Sequence, residues 1–188
     1  MIHTSRYISA LLIRAEYLVS IASRHPDHAE TAKEAAQRSI ATLRHATQVT
    51  VPDAVWAIHE ALSGPLSSVE LERMSGDLFG LRYAVEAQED TCALRATEHG
   101  EMRSTFLHNV NQLHLSSIEP LIQKGREIEV ALTAGRDAAY KDMEHKVCSG
   151  ASLDDVEASA VDVSALHSKV LKANMQIRVV QEVVNERS

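Results

Sequence analysis

Residues 161–188 read VDVSALHSKVLKANMQIRVVQEVVNERS. Val163, Val170, Ile177 and Val184 stand seven residues apart, and Leu166, Ala173 and Val180 each follow one of the first three by three residues. On a helix, alternating steps of three and four stay on one face, so these seven side chains form a continuous apolar seam. A seam of this kind needs a partner helix. β-Branched residues at the first position with Leu at the second favour two-stranded pairing, and Ala173 departs from that rule. Two partners satisfy the pattern. One is a helix of the same chain, either helix 1 or helix 5, the long helix that starts at residue 77, in an antiparallel bundle. The other is a helix of a second molecule, and an assembly can hold both.

Composition agrees with a helical chain. Aromatic residues make up 4% of the 188 positions and Gly and Pro are scarce, whereas sheet cores draw on aromatic and β-branched residues in alternation. No sustained alternation is present. Ala, Leu, Glu, Gln, Lys and Arg are inexpensive in helices, so the expected fold is all-α, an elongated bundle with long coiled-coil-like helices. The formal charge of −7 repels phosphate backbones, and acids interleave the bases throughout, which argues against nucleic acid as a partner. The apolar residues of MIHTSRYISALLIRAEYLVS are interrupted by Arg14 and Glu16, so the N-terminus reads as an amphipathic helix and not as a membrane span or secretory signal. The expected location is the cytoplasm, or outside it by export without a cleaved signal peptide.

Four stretches follow along a single helical domain. Residues 1–49 read as a helical hairpin, with Ile8, Leu11, Leu12, Ala15, Leu18, Val19 and Ala22 on one stripe of a helix over 5–24. Pro26 ends it, Asp27 and Glu30 make a capping box for the next helix, and that helix runs to His45. Residues 50–76 read as short helices and turns: Pro52 opens one, Gly64-Pro65 closes it, Trp56 anchors it, and a second, Ser68 to Met74, stops at Ser75-Gly76. Residues 77–148 read as one long helix or a kinked pair. Leu71, Leu78, Val85, Cys92, His99, Phe106 and Leu113 recur every seven residues, with Leu81 and Met102 on the same seam and Gln88, Arg95 and Asn109 interrupting it. A continuous helix over 77–119 would be about 60 Å long at about 1.5 Å per residue. Pro120 kinks it or starts the next helix, whose stripe is Leu121, Ile128, Leu132, Ala139 and Met143. Ser149-Gly150 is the clearest boundary, and Ser152 with Asp155 caps the C-terminal amphipathic helix over 152–188.

No motif carries chemistry. None of the ten histidines has a Glu three residues before it, the spacing that places two ligands on one helix face. His25 and His28 flank Pro26 in a loop. Serines lack a Gly-x-Ser-x-Gly elbow, phosphate-loop and dinucleotide patterns are absent, and Cys92 and Cys148 read as buried thiols. No cofactor, metal or catalytic residue is assigned, and the chain is expected not to be an enzyme. The expected function is structural or interaction-based, carried by burial of the seam at roughly 1.5–3 kcal/mol for each fully buried side chain. A helical adaptor or chaperone would use the same stripe to hold another protein. A ligand-binding or enzymatic bundle would need an internal polar pocket, for which Arg95, Glu98 and His99 are the candidates.

Three segments bear a family resemblance. VPDAVWAI at 51–58 resembles the Pro-acid-x-Val-Ile segment of type III secretion filament and translocator proteins of the EspA and SseB type, and GDLFGLRYAVEA at 76–87 resembles their Gly-Asp-Leu segment. The stretch through EMRSTFLHNVNQL is similar in hydrophobic pattern to their long helix, and ANMQIRVVQEVV resembles the closing helix of type III rod components. The resemblance covers about a third of the chain. It implies coiled-coil hairpins, a dedicated chaperone and self-assembly outside the cell. About seventy residues follow Leu113 here, where those filament proteins end, and exported subunits tend to lack cysteine.

Overall fold

A computed structural model describes residues 2–45, 51–91 and 115–187. All the regular structure among them is helical: α1 (Ile2–Arg24), α2 (Ala29–Thr42), α3 (Asp53–Ala61), α4 (Ser68–Thr91), α5 (Leu115–Cys148) and α6 (Leu153–Arg187). Two 3-10 turns, Pro26–His28 and Leu43–His45, flank α2. The protein is an all-α helical bundle.

The core forms around α1. Ile8, Leu11, Leu12, Ala15, Leu18, Val19, Ile21 and Ala22 are all buried and belong to one cluster, and Ile13 is buried as well. That set is wider than a single stripe, so α1 is enclosed on several sides: by α2 and α4, and where it crosses α6. So wide an apolar surface has no stable position except the middle of a bundle, and the two charges set into it are bonded, Arg14 to Ser164 and Glu16 to Arg82. Small residues let α2 approach closely. Ala29, Ala32, Ala35 and Ala36 line the buried face with Ile40.

α2 does not begin with the expected capping box. Pro26–His28 form a 3-10 turn, His28 is the N-cap and makes no side-chain cap bond. Glu30 therefore falls inside the first turn, where its carboxylate meets Lys33 Nζ at 2.9 Å. The buried Lys33 also donates to the Gly64 carbonyl at 2.8 Å, and Gln37 donates to the His59 carbonyl at 3.1 Å. Those bonds tie α2 to α3 and the turn that follows. Trp56 is partly buried against the core, as an anchor would be, with the Arg44 guanidinium 5.5 Å above its ring.

The short helix expected to stop at Ser75-Gly76 continues to Thr91, so the boundary between residues 76 and 77 lies inside α4. Its start carries a capping box that was not among the expected ones. The Ser67 N–H and hydroxyl both donate to Glu70 Oε2, at 2.8 and 2.7 Å, and the Glu70 N–H donates to Ser67 Oγ at 3.3 Å. Leu71, Met74, Leu78 and Val85 then bury in the core cluster, while Gly76 and Gly80 are exposed. An interior glycine costs about 1 kcal/mol against Ala, and four buried apolar side chains outweigh two such costs. The Ser75 hydroxyl donates to the Glu16 carbonyl at 3.3 Å. A largely buried ion pair, Arg82 Nε to Glu16 Oε2 at 2.9 Å, adds a further tie between α1 and α4.

α5 and α6 form an antiparallel hairpin. Its turn is a Schellman motif: the Ala151 N–H donates to the Lys146 carbonyl at 3.0 Å, the Gly150 N–H to the Val147 carbonyl at 3.2 Å, and Gly150 has φ +72°. Ser152 and Asp155 cap α6 as expected, with the Asp155 N–H donating to Ser152 Oγ at 3.2 Å. Pro120 lies inside α5. The upper part of the 77–119 seam, from Cys92 to Leu113, lies outside the described residues, as do Arg95, Glu98, His99, His108 and His114. Cys148 is a free thiol and only partly buried, because it sits in the last turn beside the hairpin bend.

Candidate interaction surface

The seven seam residues all lie on α6, and the structure places them in two environments. Val163, 1% exposed, joins the core cluster with α1 and α2. Val180 joins a separate cluster with Ile118, against which Ile122 and Val184 pack. Between them Val170 and Ala173 are buried, and Leu166 and Ile177 are partly buried. The facing helix is α5. A Cβ built on Gly125 would meet Ile177 Cγ1 at 3.0 Å, and one on Gly135 would meet Leu166 Cδ2 at 3.9 Å. The two glycines on α5 thus sit under seam side chains of α6, and Gly125 permits an approach closer than a side chain there would allow. The seam follows α5 along its length, and helix 1 meets it only where the two cross.

Where the hairpin meets the rest of the bundle, polar groups mark the junction. Tyr17 Oη and His167 Nδ1 share a hydrogen bond of 3.0 Å, and the Tyr17 ring lies 5.0 Å from that of Tyr140. Burial pushes the Tyr17 phenol up from its ordinary value. Arg24 bonds the Tyr140 hydroxyl. Arg24 and His25 both reach Glu144 Oε1 at 2.8 Å, and Arg14 donates to Ser164 Oγ at 3.0 Å. The junction orients the hairpin on α1 through directional bonds. Its side chains are occupied with one another, which is the arrangement of a structural joint. Among the described residues no group of three or more His, Cys, Asp or Glu is placed to hold a metal; His25, one of the two loop histidines, is engaged by Glu144. No helix among them is long and apolar enough to cross a membrane.

Beyond the junction the hairpin becomes a two-helix arm. Its α5 portion, roughly from residue 115 to 135, is about 30 Å long at 1.5 Å per residue. A pair of helices can bury only the seam between them, and the arm accordingly carries large apolar side chains in the open. Leu121 is 45% exposed, Ile128 49%, Val130 67% and Leu171 41%. The stripe expected on α5 therefore divides. Met143 is buried, Leu132 and Ala139 are partly buried, and Leu121 and Ile128 stand at the outer edge of the contact. Heptad spacing marks all of these alike, so periodicity alone does not separate seam from rim. Phe79 and Tyr83 on α4 are also exposed. Compared with known protein families, curated proteins and solved structures, the chain matches none.

Proposed function

We propose that the protein is a non-enzymatic interaction component that assembles with itself or with a partner helix through its C-terminal arm. Exposure of Leu121, Ile128, Val130 and Leu171 on a pair of helices with a thin core of its own carries this reading. Leu121 and Ile128 lie along one line of α5, and exposed apolar side chains set together mark contact surfaces. Of the seam residues, Val163 fixes the start of α6 in the core, Leu166, Val170, Ala173, Ile177, Val180 and Val184 hold the arm together, and its rim makes the outside contact. The resemblance to secretion filament and rod proteins supports a secretion-type apparatus as the setting, with export and a dedicated chaperone as its consequences.

The test is sedimentation equilibrium of the wild type and of a variant carrying Leu121→Ser, Ile128→Ser, Val130→Ser and Leu171→Ser, over a wide concentration range. Self-association of the wild type and a folded, monomeric variant by circular dichroism are the expected results. A wild type that remains monomeric throughout, with the variant indistinguishable from it, overturns self-assembly through the arm.

A further inference from the structure

We propose that His167 is an acid-sensitive pin between α1 and the arm: its neutral ring holds α6 on α1, and a second proton on that ring loosens the hold. The inference stands apart from the assembly reading, since it concerns how the arm is set on the bundle and not what the arm contacts. His167 is 9% exposed and lies on α6 where the hairpin leaves the rest of the molecule. Its ring meets the Tyr17 ring edge-on at 5.9 Å, and Tyr17 Oη lies 3.0 Å from Nδ1. Because burial pushes the Tyr17 phenol up, that group keeps its proton throughout the range in which an imidazole titrates. The phenol then donates to Nδ1, and the ring proton sits on Nε2. A second ring proton has to go on Nδ1, against an O–H that thereby loses its acceptor. It also puts a positive charge in a site almost closed to water.

The charges at this junction are already matched to one another. From α1, Arg14 donates to Ser164, one turn before His167 on α6. Tyr17 lies within electrostatic reach of Glu16, of Arg82 on α4, and of Arg136 and Tyr140 on α5. Glu16 is bonded to Arg82 at 2.9 Å, Arg136 to Asp137 at 2.7 Å, and Glu144 to Arg24 and His25 at 2.8 Å each. Each of these carboxylates faces a guanidinium, so burial and the direction of the Tyr17 bond set the sign. Both lower the affinity of the folded-state ring for its proton. The stabilisation is therefore complete above the ordinary imidazole range, near about pH 6.5, and is lost as pH falls through the folded-state value.

The experiment follows the ring resonances of His167 by NMR on the full chain through the imidazole range, with urea melts at the same pH values. His167 should bind its proton about tenfold or more weakly than an unburied imidazole. Tyr17→Phe should strengthen that binding by about threefold or more, because Nδ1 no longer accepts a bond; a purely structural contact would leave the titration where it was. On acidification the wild type should lose more stability than His167→Gln, and hydrogen exchange in α6 beyond residue 167 should quicken more at equal pH. A His167 that titrates in or above the ordinary range overturns the proposal, whether or not the glutamine variant folds. A depressed titration that Tyr17→Phe leaves unmoved overturns the Tyr17 bond as the pin. Equal acid losses in the wild type and His167→Gln overturn the loosening.

Discussion

The base of the molecule and its arm are built from the same kind of helix and are held in different ways. In the base, α1 is covered by α2, α4 and the crossing of α6, and its apolar side chains are almost wholly removed from water. In the arm, among the described residues, each helix has one main neighbour. Ile118 and Val180 are its buried cluster, with Ile122 and Val184 packed against them. Large side chains beside that seam remain in solvent. The difference shows that burial follows the number of helices around a residue more than the quality of its heptad. The arm has the cleaner repeat in sequence, and the base has the thicker core.

That contrast can be broken by substitution. The largest effect is expected in α1. Leu18→Ala should cost about 3 kcal/mol and lower the urea midpoint of the whole protein, because the cavity opens where α1 is enclosed by its neighbours. Val180→Ala should cost about 1 kcal/mol, and hydrogen exchange should quicken in the arm while α1 stays protected. Equal loss of protection in both regions would mean that base and arm unfold as one unit. The two α5 glycines sharpen the picture. Gly135→Ala should raise stability by about 0.5–1 kcal/mol through helix propensity, since its Cβ meets Leu166 at an ordinary 3.9 Å. Gly125→Leu should do the reverse, because the 3.0 Å approach of Ile177 leaves no room; thermal melts of both variants read the two signs.

The smallest effect concerns acid. Donation from the Ser67 N–H and then its hydroxyl holds the Glu70 carboxyl below the usual carboxylate range. A folded value below the unfolded one means the stabilisation is present above the unfolded pKa and is lost as pH falls through the folded one. Glu70→Gln should therefore flatten a small acid-side loss of stability and leave the neutral-to-basic side of the profile parallel to wild type, as read from melts across the acid and neutral range. An unchanged acid limb would show that the capping box contributes nothing at the edge of the base.

Much of the base is legible in the order of its residues. The stripe Ile8, Leu11, Leu12, Ala15, Leu18, Val19 and Ala22 identifies the inward face of α1, and Ser149-Gly150 locates the bend of the hairpin. The capping box expected at Asp27 and the stop expected at Ser75-Gly76 fail for one shared reason. Local signals compete with their surroundings: a proline-led 3-10 turn displaces the first, while burial of Leu71, Met74, Leu78 and Val85 carries the helix through the second. The seven seam residues are identifiable on α6 from spacing alone. Their division between core and arm is not, because heptad spacing records which side chains share a face and nothing about how many helices cover it.

By itself, then, the sequence determined an all-helical chain, the positions of most of its bends, and the inward faces of α1 and α6. Those features depend on residues near one another along the chain, through propensity, caps and periodicity. Only the tertiary structure decided that α1 is enclosed, that the terminal seam follows α5 over Gly125 and Gly135, and that Leu121 and Ile128 stand outside the contact. Each of those depends on which surfaces meet across long separations in sequence, and apolar burial rewards contact without direction, so pattern alone leaves the partner open.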